Sequence, residues 1–347
     1  MTLYFVLLAI PSLLAILRIP ATIGSMSTVA LIYTIMGGFR YEVGMDWSNY
    51  QRLHGDVEYM SFHEIIFESE PLSFLLFKLS SIFCDCMLLT NCFSVAVLTA
   101  GIFLFSSRTP APWIAIVSAT PYLYIAFGLS GVRQAIGIGI SLIVFSFWDH
   151  RRLYTTLPLI GLGALFHSSA SIIGIFYAAC IQTTKKTKIF FMLPTLIFFG
   201  GLIFKVLGGQ DTVQLYSDRY LKSSDVDSSG ALFHVSFIAI PSIIFFLLRK
   251  KISLNIKFPE LVTWGALVGL LLIMFLFVSS TGASRLSLYL YFVPMAVYPA
   301  LCVNSSSSLD GQLRLSIIMI HFAILYVWLA FANNSFAHLP YQNIMFN

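Results

Sequence analysis

Apolar runs of about 15 to 20 residues, close to the length that a membrane-crossing helix needs, recur along almost the whole chain. They lack the alternation of polar and apolar residues that is typical of lipid-facing strands, and a helix satisfies its own backbone hydrogen bonds inside lipid. Only 10% of the 347 residues are charged, against about a quarter in soluble domains. The sequence therefore predicts an all-α polytopic membrane protein.

The spacing of the apolar runs predicts about twelve crossings within a single transmembrane domain over residues 1–347. The predicted spans cover residues 2–17, 21–37, 87–105, 112–127, 131–148, 153–166, 169–182, 188–207, 232–248, 261–280, 286–303 and 312–332. The first run lacks a basic start and a small-residue cleavage site, so it is interpreted as a retained span. Residues 71–84 form a shorter apolar run with Lys78 in its middle, which favours an interfacial or re-entrant helix.

The basic residues predict the orientation of these crossings. If residues 71–84 do not span, one side of the membrane carries most of the basic connectors: Arg18, Arg108, Arg151, Arg152, Lys185, Lys186, Lys188, Arg249, Lys250, Lys251, Lys257 and Arg314. The positive-inside rule identifies that side as the cytoplasm. Both termini and two long polar loops, residues 38–70 and 208–231, then face outward, and the first loop leads into the interfacial helix. A spanning 71–84 would flip the first two crossings, and the charge bias alone leaves that arrangement open.

Four arginines remain on the outward side, where the positive-inside rule does not explain them: Arg40, Arg133, Arg219 and Arg285. His167 lies at the same level, so the set comes from five separate parts of the chain. Convergent cations in a membrane protein indicate an anionic ligand. The sequence therefore predicts an anion-binding cavity that opens outward.

Arg133 and Arg285 are each predicted to lie at the start of a helix. The helix dipole disfavours a cation there, whereas the free N–H groups favour an anion, so a bound phosphate would resolve the conflict. Gln134 adds a hydrogen-bond donor beside Arg133, and Tyr289 lies one turn after Arg285 on the same face. Arg219 follows Asp218 in an acidic loop, so surface pairing explains it slightly better than anion binding does.

The stretch GFRYEVGMDWSNY at residues 38–50 combines charge, a turn and aromatic rings. Arg40 alone could be a cation at a helix C-terminus that reaches the membrane interface, but Asp46 and the neighbouring rings favour a functional loop. The aromatic candidates for sugar binding are Tyr41, Trp47, Tyr50, Tyr220 and Tyr289. Anchoring at the membrane interface explains any single one of them equally well.

His167 interrupts a long apolar stretch, and Ser168 and Ser169 could cap the helix that follows. The histidine could bridge two helices, or its ordinary pKa of about 6.5 could suit a general base or a phosphate donor. Both interpretations stay open. The sequence has no glycine-rich nucleotide loop, zinc-binding histidine pair or nucleophile elbow, so no metal, no cofactor and no nucleic-acid partner is predicted.

Taken in order, these motifs resemble the EpsG family of bacterial exopolysaccharide and O-antigen polymerases of Wzy type. The matching residues are Arg40 with Gly44, Asp46 and Tyr50; Arg133 with Gln134; His167 with Ser168; Arg219 with Tyr220; Arg285 with Tyr289; and the stretch His338–Phe346. They follow the family's order along essentially the whole chain. Trp47 stands where the family pattern would have tyrosine, and this keeps an aromatic ring.

The resemblance implies a metal-independent, inverting glycosyltransferase of the GT-C class, facing the periplasm from the bacterial inner membrane. Its donor and acceptor would both be oligosaccharides linked to undecaprenyl pyrophosphate within the lipid bilayer, and whether a chain-length regulator binds stays open. The catalytic residues would be Asp46, His167, Arg133 and Arg285, with Asp46 or His167 as the base. The pyrophosphate would be bound by Arg40, Arg133, Arg219, Arg285 and Gln134.

Three other classes of protein fit parts of this pattern. A lipid-linked oligosaccharide flippase would also need a cationic cavity, although the internal repeats of many transporters are not detected in this sequence. A membrane O-acyltransferase acting on surface polysaccharide could use a histidine base. A structural role as a membrane subunit would not explain the outward arginines.

Overall fold

The computed structural model describes residues 1–83, 87–148, 153–180, 230–277 and 279–346. Within these ranges the chain is mostly helical, which confirms the predicted all-α class. The α-helices are α1 (Thr2–Ile16), α2 (Ile23–Gly38), α3 (Trp47–Glu58), α4 (Phe62–Ile66), α5 (Pro71–Phe83), α6 (Leu88–Ser106), α7 (Pro112–Ala119), α8 (Val132–Ser146), α9 (Leu153–Phe166), α10 (Ile172–Cys180), α11 (Ala231–Ile252), α12 (Pro259–Phe275), α13 (Ser280–Ser287), α14 (Phe292–Val303) and α15 (Ser307–Phe331). Thr120–Gly128 continues α7 as a π-helix.

Three stretches of the described chain are long and apolar enough to cross a membrane, namely α6, Ala231–Asn255 and α15. The stretches Ser280–Leu290 and Phe292–Val303 pass the same test together and are bent by 51° at the break between them, as in a broken span or a re-entrant loop. The other apolar helices have 10–17 residues. The protein is thus a helical membrane protein, while the figure of twelve crossings stays a prediction and the expected span 188–207 lies outside the described residues.

The connector predicted at residues 38–70 is more structured than expected, because it contains α3 and α4. Ser61 and Glu64 form a capping box that fixes the start of α4. α3 buries Tyr50 and Val57 in a small hydrophobic cluster with residues of α5. The predicted helix at 71–84 is present as α5 with 13 residues, shorter than the roughly 20 that a straight span needs.

α6 and α8 run parallel and in close contact. The Ser94 hydroxyl donates a hydrogen bond of 2.9 Å to the Val132 carbonyl near the start of both helices. Further along, a Cβ atom on Gly101 would lie only 2.4 Å from the carbonyl oxygen of Gly139. These glycines therefore let the two helix backbones approach closely.

The helix bundle has two chemically different ends. We call the end that holds the start of α8 and the end of α2 the site end, and the opposite one the far end. Basic residues at the far end include Arg18, Arg108, Arg249, Lys250, Lys251, Lys257 and Arg314. Arg18 and Arg314 share Asp310 there, at 2.8 and 2.7 Å. Arg133 and Arg285 lie at the site end. Among the described residues the predicted division of the basic residues therefore matches the two ends, while Arg151, Arg152, Lys185, Lys186, Lys188 and Arg219 lie outside them. The assignment of the two ends to membrane faces stays a prediction.

Residues 335–346, which we call the C-terminal segment, fold back across the site end. They pair with the loop that follows α2: the Tyr41 N–H donates to the Gln342 carbonyl at 3.1 Å, and the Gly44 N–H donates to the Ala337 carbonyl at 2.8 Å. The stretch that the family resemblance singled out near the C-terminus therefore holds the loop that leads into α3.

We expect Gly44→Ala to destabilise this loop. Gly44 has φ 114°, and a Cβ atom there would lie 2.3 Å from the Leu129 carbonyl oxygen and 2.9 Å from Ser130 Cα. Both are backbone atoms that cannot move aside cheaply, and the unfavourable φ alone costs about 1–3 kcal/mol. Thermal unfolding in detergent should show a lower midpoint for this variant.

Gly55→Ala is the matched control. Gly55 lies in α3, and no atom lies within 4 Å of its Cβ position. Alanine is better than glycine in a helix by up to about 1 kcal/mol, so this variant should be as stable as the wild type or slightly more stable. Equal midpoints for Gly44→Ala and Gly55→Ala would contradict the argument.

Candidate functional site

Glu70 lies at the centre of a polar cluster at the site end. It directly precedes α5, and its side chain is 6% exposed. One carboxylate oxygen lies 2.7 Å from Nη1 of Arg133. The other lies 2.6 Å from Nδ1 of His167, although the ring N–H is not aligned with it. That second oxygen also accepts hydrogen bonds of 3.2 Å from the N–H and the hydroxyl of Ser168. One carboxylate therefore joins the starts of α5 and α8 to the end of α9.

The partners of Glu70 fix its charge. Burial raises the pKa of Glu70, but the contacts with His167 and Ser168 and the charge of Arg133 together outweigh burial and lower the pKa from the ordinary 4.5 to about 2. The carboxylate is therefore ionised at neutral pH and is a poor proton acceptor. Its role in the cluster is to hold Arg133 and His167 in place.

We expect Glu70→Gln to remove a pH-dependent part of the stability. The folded pKa lies below the unfolded one, so the stabilisation is complete above about pH 4.5 and is lost as the pH falls towards 2. Its size is on the order of 3 kcal/mol. Thermal unfolding should show a less stable variant near neutral pH, with a gap to the wild type that closes as the pH is lowered.

Glu58→Gln is a control for this experiment, because Glu58 is exposed on α3. Its unfolding midpoint should follow that of the wild type at every pH. A gap between Glu70→Gln and the wild type that stays constant with pH would argue against an ionised Glu70.

Asp46 lies close to two arginines. It is the first residue before α3, and its carboxylate does not cap that helix. Burial raises the pKa of Asp46, and the positive charges of Arg285 and Arg133 lower it to a smaller extent, so the net direction is upward. In the described part of the chain the carboxylate makes no hydrogen bond or ion pair. Asp46 is thus a free, partly buried carboxylate beside two cations.

Arg133 and Arg285 reach this site from different helix positions. Arg133 lies in the first turn of α8, as predicted. Arg285 lies in the last turn of α13, so the prediction that it opens a helix is wrong. The helix begins earlier because the Ser279 hydroxyl accepts a hydrogen bond from the Gly282 N–H. The dipole of α13 therefore favours the charge of Arg285 and does not oppose it.

The side chain of Arg285 is accessible. The residue is exposed, and its guanidinium forms no ion pair with any residue that the structure describes. Its carbonyl accepts a hydrogen bond of 3.2 Å from the Gln134 side-chain amide. Gln134 therefore connects α8 to α13, where the sequence predicted a donor to phosphate.

The serines after His167 do not cap the following helix, so that prediction is wrong. The Ser168 hydroxyl donates to Glu70, and the Ser169 hydroxyl shares a hydrogen bond of 2.9 Å with the Tyr289 hydroxyl. Tyr289 is only 1% exposed. Its ring therefore has no free face for a sugar in this structure, and it fixes the segment that carries His167.

The aromatic residues of the 38–50 loop differ in exposure. Tyr41 is 44% exposed and packs edge-on against Trp47 at a centroid distance of 5.7 Å. Tyr50 is buried and stacks on Phe77, while the Arg133 guanidinium lies 6.0 Å from the centre of its ring. Tyr41 and Trp47 can contact a ligand, whereas Tyr50 supports the position of Arg133.

Arg40 lies in a different environment from the other predicted site residues. It is 1% exposed, and its Nη1 donates a hydrogen bond of 2.7 Å to the Gly37 carbonyl. Its guanidinium interacts electrostatically with the side chains of Tyr124, Tyr341 and Tyr4. No face of Arg40 is accessible to a pyrophosphate, so it is not included in the site proposed below.

Two predicted site residues, Arg219 and Tyr220, lie outside the described residues, as does nearly all of the loop 208–231. Among the residues that are described, no three His, Cys, Asp or Glu side chains lie close enough to hold a metal ion. The sequence analysis did not identify Glu70 as a site residue. The sequence feature that could have indicated its role is its place directly before Pro71 at the start of a helix, where the helix dipole favours a negative charge.

These features define a helical membrane protein with a polar site at one end of its bundle, where arginines, a free carboxylate and a histidine–glutamate pair come together. The chain belongs to the EpsG family, whose sequence model matches residues 25–343. This is a family of Wzy-type polymerases and glycosyltransferases, so the predicted resemblance is confirmed and the chain has a role in polysaccharide polymerisation. Comparisons with curated proteins and with solved structures gave no match.

Proposed function

We propose that the protein is an inverting, metal-independent glycosyltransferase of GT-C type that polymerises repeat units linked to undecaprenyl pyrophosphate. It acts at the periplasmic face of the bacterial inner membrane, on O-antigen or exopolysaccharide units. The observation that supports this proposal best is the meeting of Asp46, Arg133 and Arg285, from three distant parts of the chain, in a member of a polymerase family.

The reaction joins two lipid-linked sugars. An acceptor hydroxyl oxygen forms a bond to the anomeric carbon of the donor while the bond from that carbon to the diphosphate oxygen breaks. The hydroxyl proton passes to a base, and the bonding electrons leave with the lipid diphosphate. Negative charge grows on the departing diphosphate, so the site must stabilise that charge in the transition state.

Arg285 and Arg133 supply the positive charge. Arg285 is exposed and free of ion pairs in the described chain, so its guanidinium can hold two phosphate oxygens in a bidentate contact. The Arg133 side chain is 32% exposed and lies beside the first-turn N–H groups of α8, which also favour an anion. Its pairing with Glu70 holds the guanidinium in position before the ligand arrives.

Asp46 is the proposed base. Its carboxylate is free of hydrogen bonds within the described ranges, and its raised pKa makes it a better proton acceptor than an ordinary aspartate. His167, in contrast, is engaged with Glu70 through Nδ1. We assign His167 to phosphate binding through its other ring nitrogen, with Tyr41 and Trp47 contacting the sugars.

A deletion strain tests the function directly. Surface polysaccharide separated on a gel should lose its ladder of lengths and keep lipid that carries a single repeat unit, and complementation should restore the ladder. A flippase would instead leave no surface repeat at all. A membrane O-acyltransferase would leave the ladder unchanged in length and alter only its modification.

A further inference from the structure

A cleft opens at the far end of the bundle, remote from the site described above. It lies between the residues that follow α6 and those at the start of α12, and it holds about 320 Å³ of empty space, part of it open solvent. Apolar side chains form most of its wall, among them Phe105, Leu261 and Val262. The cleft therefore joins an apolar surface to the polar end of the bundle.

Two cations line this cleft, Arg108 and Lys257. The Nε atom of Arg108 is buried and has no hydrogen-bond partner within the described part of the protein. Lys257 is exposed, and burial and the charge of Arg108 both lower its pKa. Glu260 does not line the cleft. Among the described residues that line the cleft, the two like charges therefore face one space without a carboxylate between them.

Two other basic residues at the far end have an acidic partner. Arg18 and Arg314 both contact the carboxylate of Asp310, which compensates their charges. No such ion pair exists for Arg108 or Lys257 among the described residues. In addition, α12 begins at the cleft, and its dipole favours a negative charge there. The charge of the described cleft residues is thus complementary to an anion.

We propose that this cleft binds the phosphate group of an anionic ligand between Arg108 and Lys257. The apolar residues beside the two cations favour a phospholipid headgroup with its acyl chain against the more accessible Pro110 and Phe258, and free phosphate shares the same polar chemistry. Because the far end carries the basic residues that predict the cytoplasmic side, the lipid would come from the inner leaflet. The site is separate from the polymerisation chemistry.

Thermal stabilisation measures the binding. The protein, delipidated in a neutral detergent, is titrated with phosphatidylglycerol, with phosphatidylcholine, and with inorganic phosphate, and the unfolding midpoint is followed. We expect phosphatidylglycerol to raise the midpoint and phosphatidylcholine to have little effect. In Arg108→Gln/Lys257→Gln the apparent affinity should fall by about tenfold or more, as expected for the loss of charged hydrogen bonds.

Two further variants control for charge and folding. Lys250→Gln removes an exposed cation at the same end that does not line the cleft, and should bind as the wild type does. Arg108→Lys/Lys257→Arg keeps both charges and should retain most of the affinity. A comparable shift with inorganic phosphate, lost in the double variant, would support the site with free phosphate as its ligand. Equal responses of the wild type, the double variant and Lys250→Gln to every additive would overturn the proposal.

Discussion

Replacing Arg285 by alanine should stop chain extension while the protein stays folded in the membrane. Its guanidinium is exposed and makes no ion pair in the described chain, so its removal leaves no buried charge without a partner. If it stabilises the departing diphosphate, its loss should lower the rate of transfer by about 10²–10³-fold, as for other groups that stabilise charge in a transition state. Gels of surface polysaccharide, together with the amount of protein in membranes, measure both effects.

Arg133→Ala should abolish extension as well, with an added loss of stability because the buried Glu70 carboxylate then loses its arginine partner. Arg285→Lys should restore little activity, since lysine lacks the planar fork that holds two phosphate oxygens. Arg52→Ala is the matched control, because Arg52 is an exposed arginine of α3. Polymer of wild-type length from Arg285→Ala would remove this residue from the mechanism.

Asp46→Asn should lose glycosyl transfer while the lipid-linked substrates still bind. Asparagine keeps the shape of the side chain but cannot take a proton from the acceptor, and the loss of a general base costs about 10²–10⁴-fold in rate. In the wild type, the rate should fall as the pH drops through the raised pKa of Asp46, because the protonated acid is no longer a base. Transfer between purified lipid-linked units, followed over a range of pH, measures this.

Asp56→Asn is the control for this prediction, since Asp56 is an exposed carboxylate of the same helix α3. His167→Gln distinguishes the two candidate bases. We expect it to weaken substrate binding and to keep the acid limb of the pH profile. If His167→Gln abolishes transfer and Asp46→Asn retains it, the assignment of the base must be reversed.

Local rules predicted the parts of this molecule that depend on neighbouring residues. Runs of apolar residues located helices in the described ranges, and Arg133 was correctly predicted to lie at the start of α8. The sequence predicted that Arg40, Arg133, Arg219, Arg285 and His167 converge, and of these Arg133 and Arg285 both act on the carboxylate of Asp46. The structure brings these three together through the loop and helix ends at the site end.

Long-range pairing explains what the sequence could not reveal. Glu70 is a surface-like acid in its local context, and only the fold places it against Arg133 and His167. The sequence predicts an outward position for both Arg40 and Arg285, yet side chains from distant helices bury Arg40. The helix boundary before Arg285 depended on the cap at Ser279, one of several serines and threonines nearby that could have begun the helix.

The pairing of the C-terminal segment with the loop before Asp46 sets an order for biogenesis. The ribosome makes the Tyr41 and Gly44 backbone early, but their hydrogen-bond partners at Gln342 and Ala337 are translated only after α15. The loop therefore cannot make these hydrogen bonds until α15 and the C-terminal segment have been translated. In the mechanism proposed above, a nascent chain that stalls during translation would carry the arginines of the site without a fixed Asp46, and would not extend a sugar chain.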